Sequence, residues 1–263
     1  MKALSRRAAF FCDVVLLLCA LAAFALMTWR ELAADLSWER ALLCAGGLAA
    51  AIVLRIPYLV HELGHVVSGV CAGLRVNGVR LGWFFLSRRG VRLSPSEGRA
   101  GETMFSLRGE RGAHARLYAA ALGGPLAGLL AGGALLIVWG VLSAHPALAF
   151  FACMAPLFVA ESLSELLPAE RRAGKTDGLV LQELRTRTGE TEVAVRVMTA
   201  QLLLARDPQA ALPHALLFDV PVVREDSPAF MELLLLQKDA LLQEGDADGA
   251  ARIEGRIREI EEQ

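Results

Sequence analysis

Residues 41–73 read ALLCAGGLAAAIVLRIPYLVHELGHVVSGVCAG, an apolar run interrupted only by Arg55, His61, Glu62 and His65 among its ionisable groups. A helix needs about 20 apolar residues to cross a hydrocarbon core, so this stretch is long enough to span one. Within it, His61-Glu62-Leu63-Gly64-His65 fits H-E-x-x-H, which puts two imidazoles four residues apart on one helical face with a carboxylate beside them. Histidines and a glutamate inside such a run are costly unless they are paired, bind a metal or face a wet cavity.

Outward from this segment, the runs 8–28, 117–143 and 146–167 are also long and apolar enough to span. Hydrophobic residues make up 55% of the 263, which is high for a water-soluble domain and points to a polytopic membrane protein, all-α in its spans. A cleaved signal peptide is not expected at the N-terminus, because the run at 8–28 is longer than a usual signal core and further spans follow. A net charge of -1 excludes a globally basic nucleic-acid binder, so no nucleic-acid partner is expected. Cys12, Cys19, Cys44, Cys71 and Cys153 lie in apolar stretches without CxxC spacing, which suggests neither a disulfide scaffold nor a thiolate metal site.

Charge placement sets the expected topology. The connector 75–116 holds nine arginines against three acidic residues, whereas 29–40 holds Glu31, Asp35 and Glu39. The positive-inside rule then puts the N-terminus (Lys2, Arg6, Arg7), the second connector and the segment with Arg171, Arg172 and Lys175 on the cytoplasmic side of a cell membrane. Both termini are expected there. Residues 76–93 carry turn signals at Asn77-Gly78 and Arg88-Arg89-Gly90 and predict a short β-hairpin between spans two and three. Residues 1–178 form the expected transmembrane domain and 179–263 a helical cytoplasmic tail, with helical periodicity at 193–204 and 230–242 and a charged terminal helix at 253–262.

The His61 and His65 pair suits a catalytic zinc ion that lowers the pKa of a water toward about 7, with Glu62 taking that water's proton and returning it to a leaving amine. With Gly123-Gly124-Pro125 opening a later span and Leu166-Leu167-Pro168 leading to Asp177-Gly178, the chain resembles the site-2 protease family of intramembrane zinc metallopeptidases over about 54–179. A weaker likeness runs from Gly73-Leu74-Arg75-Val76 into Val79-Arg80-Leu81-Gly82, similar to the strand segment after the zinc helix in that family. The resemblance implies a three-helix core with the first span peripheral, Asp177 as third zinc ligand, and 123–125 bordering the site. Glu165 stands where the family commonly has an asparagine associated with substrate or loop positioning.

Topology brings the same motifs together: His61 lies about 30 Å of helix beyond residue 41, so the three motifs meet at the cytoplasmic face. Gly124, Gly128 and Gly132 repeat every four residues, more as a helix-packing face than as substrate contacts. Arg55, seven residues before Glu62, either shares its helical face or marks a break together with Pro57. Asp13 falls near an interface, where a carboxylate is tolerable, and His114, His145 and His214 are expected to be non-ligands. The expected activity is hydrolysis of transmembrane protein substrates in the lipid bilayer, with a cytoplasmic regulator on the tail. A non-proteolytic membrane scaffold or chaperone is the alternative, though it has no chemical need of Glu62. A transporter is less favoured because no internal repeat is evident.

Overall fold

The structure, a computed structural model, describes residues 3–35, 38–93, 101–141, 146–171, 174–225 and 227–262. Lys2, His145 and Arg172 lie outside these residues. The chain divides into two compact units. One comprises Met1–Ala72, Val76–Phe105 and Tyr118–Gln182, and the other Gly73–Arg75, Ser106–Leu117 and Glu183–Gln263.

In the first unit, α1 (Arg6–Asp35) lies along α6 (Ala155–Leu166), and α2 (Trp38–Val53) along α5 (Pro146–Ala152). Helix α4 (Ala113–Val141) carries the Gly123-Gly124-Pro125 motif. Three helical stretches are long and apolar enough to cross a membrane, and a fourth is added if α2 and α3 (Ile56–Cys71) count as one bent span. Helix α1 exposes Phe10, Phe11, Leu18 and Leu26, and α4 exposes Leu130, Ile137 and Val141. A water-soluble helix does not normally expose so many large apolar side chains, so the helices are consistent with a multi-pass membrane protein.

The second apolar segment is not one continuous helix. α2 and α3 meet at a 54° bend, where Arg55 adopts a left-handed backbone (φ 50, ψ 40) and Pro57 opens α3. Proline lacks the N–H that would bond the carbonyl of Val53, and its ring clashes with that carbonyl, so the helix restarts there. Counting helical rise from residue 41 therefore does not give the depth of His61, which lies on a separate helix of 16 residues. The break also removes the shared face between Arg55 and Glu62, and Arg55 is exposed at the bend.

The connector after α3 forms more than a hairpin. β1 (Arg75–Leu81), β2 (Phe84–Ser87), β3 (Gly90–Leu93) and β4 (Gly101–Ser106) make one sheet in the order β3-β2-β1-β4. The β1–β2 register pairs Leu81 with Phe84, so the first turn is Gly82-Trp83, where Gly82 has φ 59. Asn77-Gly78 is not a turn. Gly78 sits inside β1 beneath the Phe85 ring, where an added Cβ would come within 2.5 Å of that ring, and glycine in a strand commonly marks such a close approach. The second turn, Arg88-Arg89, falls where the sequence signals it, between paired Ser87 and Gly90.

The second unit is built on α8 (Gly189–Arg206), α10 (Pro228–Glu244) and α11 (Ala247–Glu261), with the short α9 (His214–Leu217) beside α8 and α10. Val193, Val197, Ala200, Leu217 and Leu233 form its core. The units divide at Glu183, within α7 (Asp177–Thr186), rather than at residue 179, and the second takes in Ser106–Leu117. His114 Nε2 lies 3.3 Å from Glu192 Oε2, and Arg206 donates to the Arg108 carbonyl at 3.4 Å, which fastens that stretch to the tail helices.

Candidate metal site

Helix α3 projects His61 and His65 from one face, as i and i+4 positions must. Their Nε2 atoms are 3.0 Å apart, and both residues are buried. The Nδ1 of His65 is 2.8 Å from the Ala120 carbonyl of α4, so an N–H there orients the ring and leaves Nε2 with a free lone pair. Helix α4 comes this near because both chains are bare at the crossing. A Cβ on Gly64 would stand 2.9 Å from the Gly123 carbonyl carbon and nearer to its oxygen, while one on Gly123 would stand 2.5 Å from the Gly64 oxygen.

The two imidazoles are met by a residue more than a hundred positions later. Asp177 Oδ2 lies 2.9 Å from His61 Nε2 and 3.2 Å from His65 Nε2. It is delivered by the chain after α6, where β5 (Glu170–Arg171) and β6 (Gly174–Lys175) pair and Thr176 closes the loop. The Thr176 hydroxyl donates to the Leu167 carbonyl at 2.5 Å and the Thr176 amide to the Ala169 carbonyl at 3.0 Å. Gly178 permits the next step, since a Cβ there would strike the Leu166 carbonyl and come within 2.9 Å of the Leu167 carbonyl carbon.

Three donor atoms converging within 3.2 Å are what a metal ion asks for. One proton can bridge only one pair of them. Bonds of about 2.0–2.1 Å in a tetrahedral shell put ligands about 3.3 Å apart, close to the separations found here. Asp177 Oδ2 is buried without a hydrogen-bond partner, an unusual state for a carboxylate oxygen unless it ligates.

His61, Glu62 and His65 place one potential ligand atom each within 4.8 Å of one another and could hold a metal ion. Between the two carboxylates, Asp177 is the better third ligand, since its oxygen touches both Nε2 atoms. Glu62 Oε2 instead accepts a 2.5 Å hydrogen bond from Thr103 on β4. Glu62 thus has its carboxylate fixed beside the imidazoles, an arrangement suited to proton transfer.

Gly124 makes room for this set. A Cβ there would fall 2.8 Å from His61 Nε2 and nearer still to His65 Nε2, whereas those on Gly128 and Gly132 would meet Ser162, Val159 and Ala155 of α6. The glycine stripe therefore splits: two positions serve helix packing and the first serves the site. Pro125, the next residue, is fully buried in α4.

Glu165 does not face the imidazoles as a free carboxylate, because Arg171 Nη1 donates to its Oε1 at 2.6 Å. Asp13 is bound by the same guanidinium at 2.8 Å and by Ser164 Oγ at 2.6 Å, so it is not a lone carboxylate at an interface. Arg55 does not lie on the helix that bears Glu62, and His214 stacks on Phe218 in the other unit. Sequence reasoning missed Thr103, Ala120 and the Arg171 cluster. β4 lacks the apolar alternation that marks a strand, and the role of Ala120 rests on its backbone. The chain matches no family model, no curated protein and no solved structure.

Proposed function

We propose that this chain is an intramembrane zinc metalloprotease of the site-2 protease type, hydrolysing peptide bonds of transmembrane substrates at or near the cytoplasmic side of the bilayer. The observation that carries the reading is Asp177 Oδ2 at 2.9 and 3.2 Å from the two Nε2 atoms of an H-E-x-x-H helix. A set of two histidines and one carboxylate with a fourth position open is a catalytic zinc shell. Zinc bound there supplies a Lewis acid for the scissile carbonyl and a water of lowered pKa.

The residues divide the remaining work. His61, His65 and Asp177 would hold the ion, and the Ala120 carbonyl keeps His65 in the tautomer that leaves Nε2 available. Glu62 takes the proton of the attacking water and returns it to the departing amine. Thr103 steadies Glu62 by donating to Oε2, which leaves the other oxygen for the proton. Gly123, Gly124 and Pro125 border the site, with Gly124 keeping its floor open.

A transmembrane helix has its carbonyls bonded internally, so cleavage requires the substrate to unwind locally before a carbonyl can be presented. By the positive-inside rule, the basic N-terminus, the arginine-rich connector and the basic residues 171–175 favour a cytoplasmic side for both termini, with the tail available to a cytoplasmic regulator. A scaffold without activity would have no use for the Thr103 contact that fixes Glu62.

The test is zinc content and cleavage of a membrane-protein panel by detergent-purified protein. About one zinc per chain is expected, lost in H61A, H65A and D177A and retained in E62Q, which no longer cleaves. Full zinc in the H61A/H65A double variant, or normal cleavage by E62Q, would overturn the assignment.

A further inference from the structure

Six residues ahead of Asp177, one guanidinium gathers groups from two helices. Arg171 Nη1 donates to Glu165 Oε1 at 2.6 Å, and Nη2 donates to Asp13 Oδ1 at 2.8 Å, the Ser164 carbonyl at 2.9 Å and Ser164 Oγ at 2.6 Å. Ser164 Oγ also donates to Asp13 Oδ1 at 2.6 Å. The side chains of Arg171, Glu165 and Asp13 are 24, 22 and 32% exposed, so the cluster is largely withdrawn from water and its bonds are stronger than surface ion pairs.

We propose that Arg171 is a positioning residue for the metal ligand Asp177, clamping the turn that carries the carboxylate to the end of α6 and to α1. The inference rests on the metal-site reading above.

The connection from guanidinium to carboxylate is short in sequence. Arg171 lies in β5, whose partner β6 leads directly through Thr176 to Asp177. Two strands of two residues are too short to hold themselves in place, so the hairpin needs outside anchors. Thr176 supplies one, through the Leu167 and Ala169 carbonyls. The amide of Leu4, just before α1, supplies a second by donating to the Pro168 carbonyl at 2.8 Å. Arg171 supplies the third and is the only one of these that links the turn to side chains of both α1 and α6.

The chemistry requires arginine. Only a planar fork can bond Glu165 and Asp13 through separate nitrogens, while a lysine ammonium is a single point. The clamp also explains Glu165: a carboxylate at that position near Asp177 would repel the metal carboxylate unless its charge were met, and Arg171 meets it. The order of parts is then metal, Asp177, turn, Arg171, and the two helices that hold it. Outer partners of this kind typically set metal affinity by about 10- to 100-fold.

The experiment uses the full chain in detergent, with zinc dissociation constants from chelator competition and hydrogen exchange over residues 174–180. R171Q is expected to weaken zinc by about 10- to 100-fold and to raise exchange in that segment, with cleavage recovered by excess zinc. R171K is expected to recover part of the affinity, and D13N, which leaves the Glu165 pair intact, to lose a smaller part. A merely structural role would lower yield and unfolding temperature without moving the zinc constant of the folded fraction. Parental affinity and exchange in R171Q would overturn the proposal, and if R171Q does not fold, parental affinity in both R171K and D13N would do so. A parent that binds no zinc would sink the metal-site reading and this inference together, whereas a zinc-loaded parent with unshifted variants would sink this inference alone.

Discussion

Adding one methyl group at Gly124 tests the site from its floor. The new Cβ would stand 2.8 Å from His61 Nε2 and nearer to His65 Nε2, against a comfortable heavy-atom separation of about 3.5 Å. Both imidazoles must therefore move, by about 0.7 Å or more, several times the roughly 0.2 Å tolerance of a metal–ligand bond. Overpacking of this kind costs about 1–3 kcal/mol, which corresponds to a roughly 5- to 150-fold loss of zinc affinity. Chelator competition on purified G124A measures it directly. G133A is the control on the same helix, since a Cβ there has nothing within 4 Å, and it should bind zinc as the parent does. Parental zinc affinity in G124A would mean that the imidazoles do not converge above Gly124, and the site geometry would be refuted.

T103V should keep zinc but lower kcat by about 10-fold, the effect of about 1.4 kcal/mol for one lost charge-assisted hydrogen bond to Glu62, with T103S recovering most of it; a loss of zinc instead would move Thr103 from the base to the metal shell. Removing zinc with excess chelator should lower the unfolding temperature of the parent and not that of H61A/H65A, because only a folded site binds the ion; equal shifts in both would show that the ion stabilises elsewhere. Truncation after residue 188 should leave zinc in place while altering substrate range or rate, as measured on the membrane-protein panel. Reporter fusions after Arg30 and at the C-terminus should report opposite sides of the membrane, and matching signals would overturn the orientation.

What could be read from the sequence was what depends on local pattern. Apolar runs and the i, i+4 histidine pair need only helical periodicity, and both are present in the structure. The bend is half legible: Pro57 and Arg55 mark its place, but nothing in the local pattern gives its 54° angle. Glycines are hard to read from pattern alone, because their meaning lies in what approaches them. Gly78 carries a turn signal and lies under Phe85, while the four-residue spacing of Gly124 suggests packing and only the resemblance puts it at the border of the site, where it lies under the imidazoles. Thr103 and Arg171 were beyond reach, since each acts on a partner distant in sequence, and Arg171 registered only as a positive charge near a membrane face.

The charge balance of the site ties these parts together. Asp13, Glu62, Glu161, Glu165 and Asp177 all belong to the first unit, and Glu161 lies within electrostatic reach of both Glu62 and Glu165. One guanidinium answers two of the five, and Glu161 Oε1 is buried without a hydrogen-bond partner. Carboxylates gathered among apolar helices repel one another strongly, because little water is there to screen them. An Arg171 that is already committed to Asp13 and Glu165 cannot also serve Asp177 and Glu62. A divalent cation between His61, His65 and Asp177 would offset that remaining charge at the point where it is densest. The same acidic surroundings would then favour an ion over a protonated imidazole pair, since the ion brings two charges to the centre of the three donors. Metal and arginine would thus divide one electrostatic task between the two ends of the loop that joins α6 to α7.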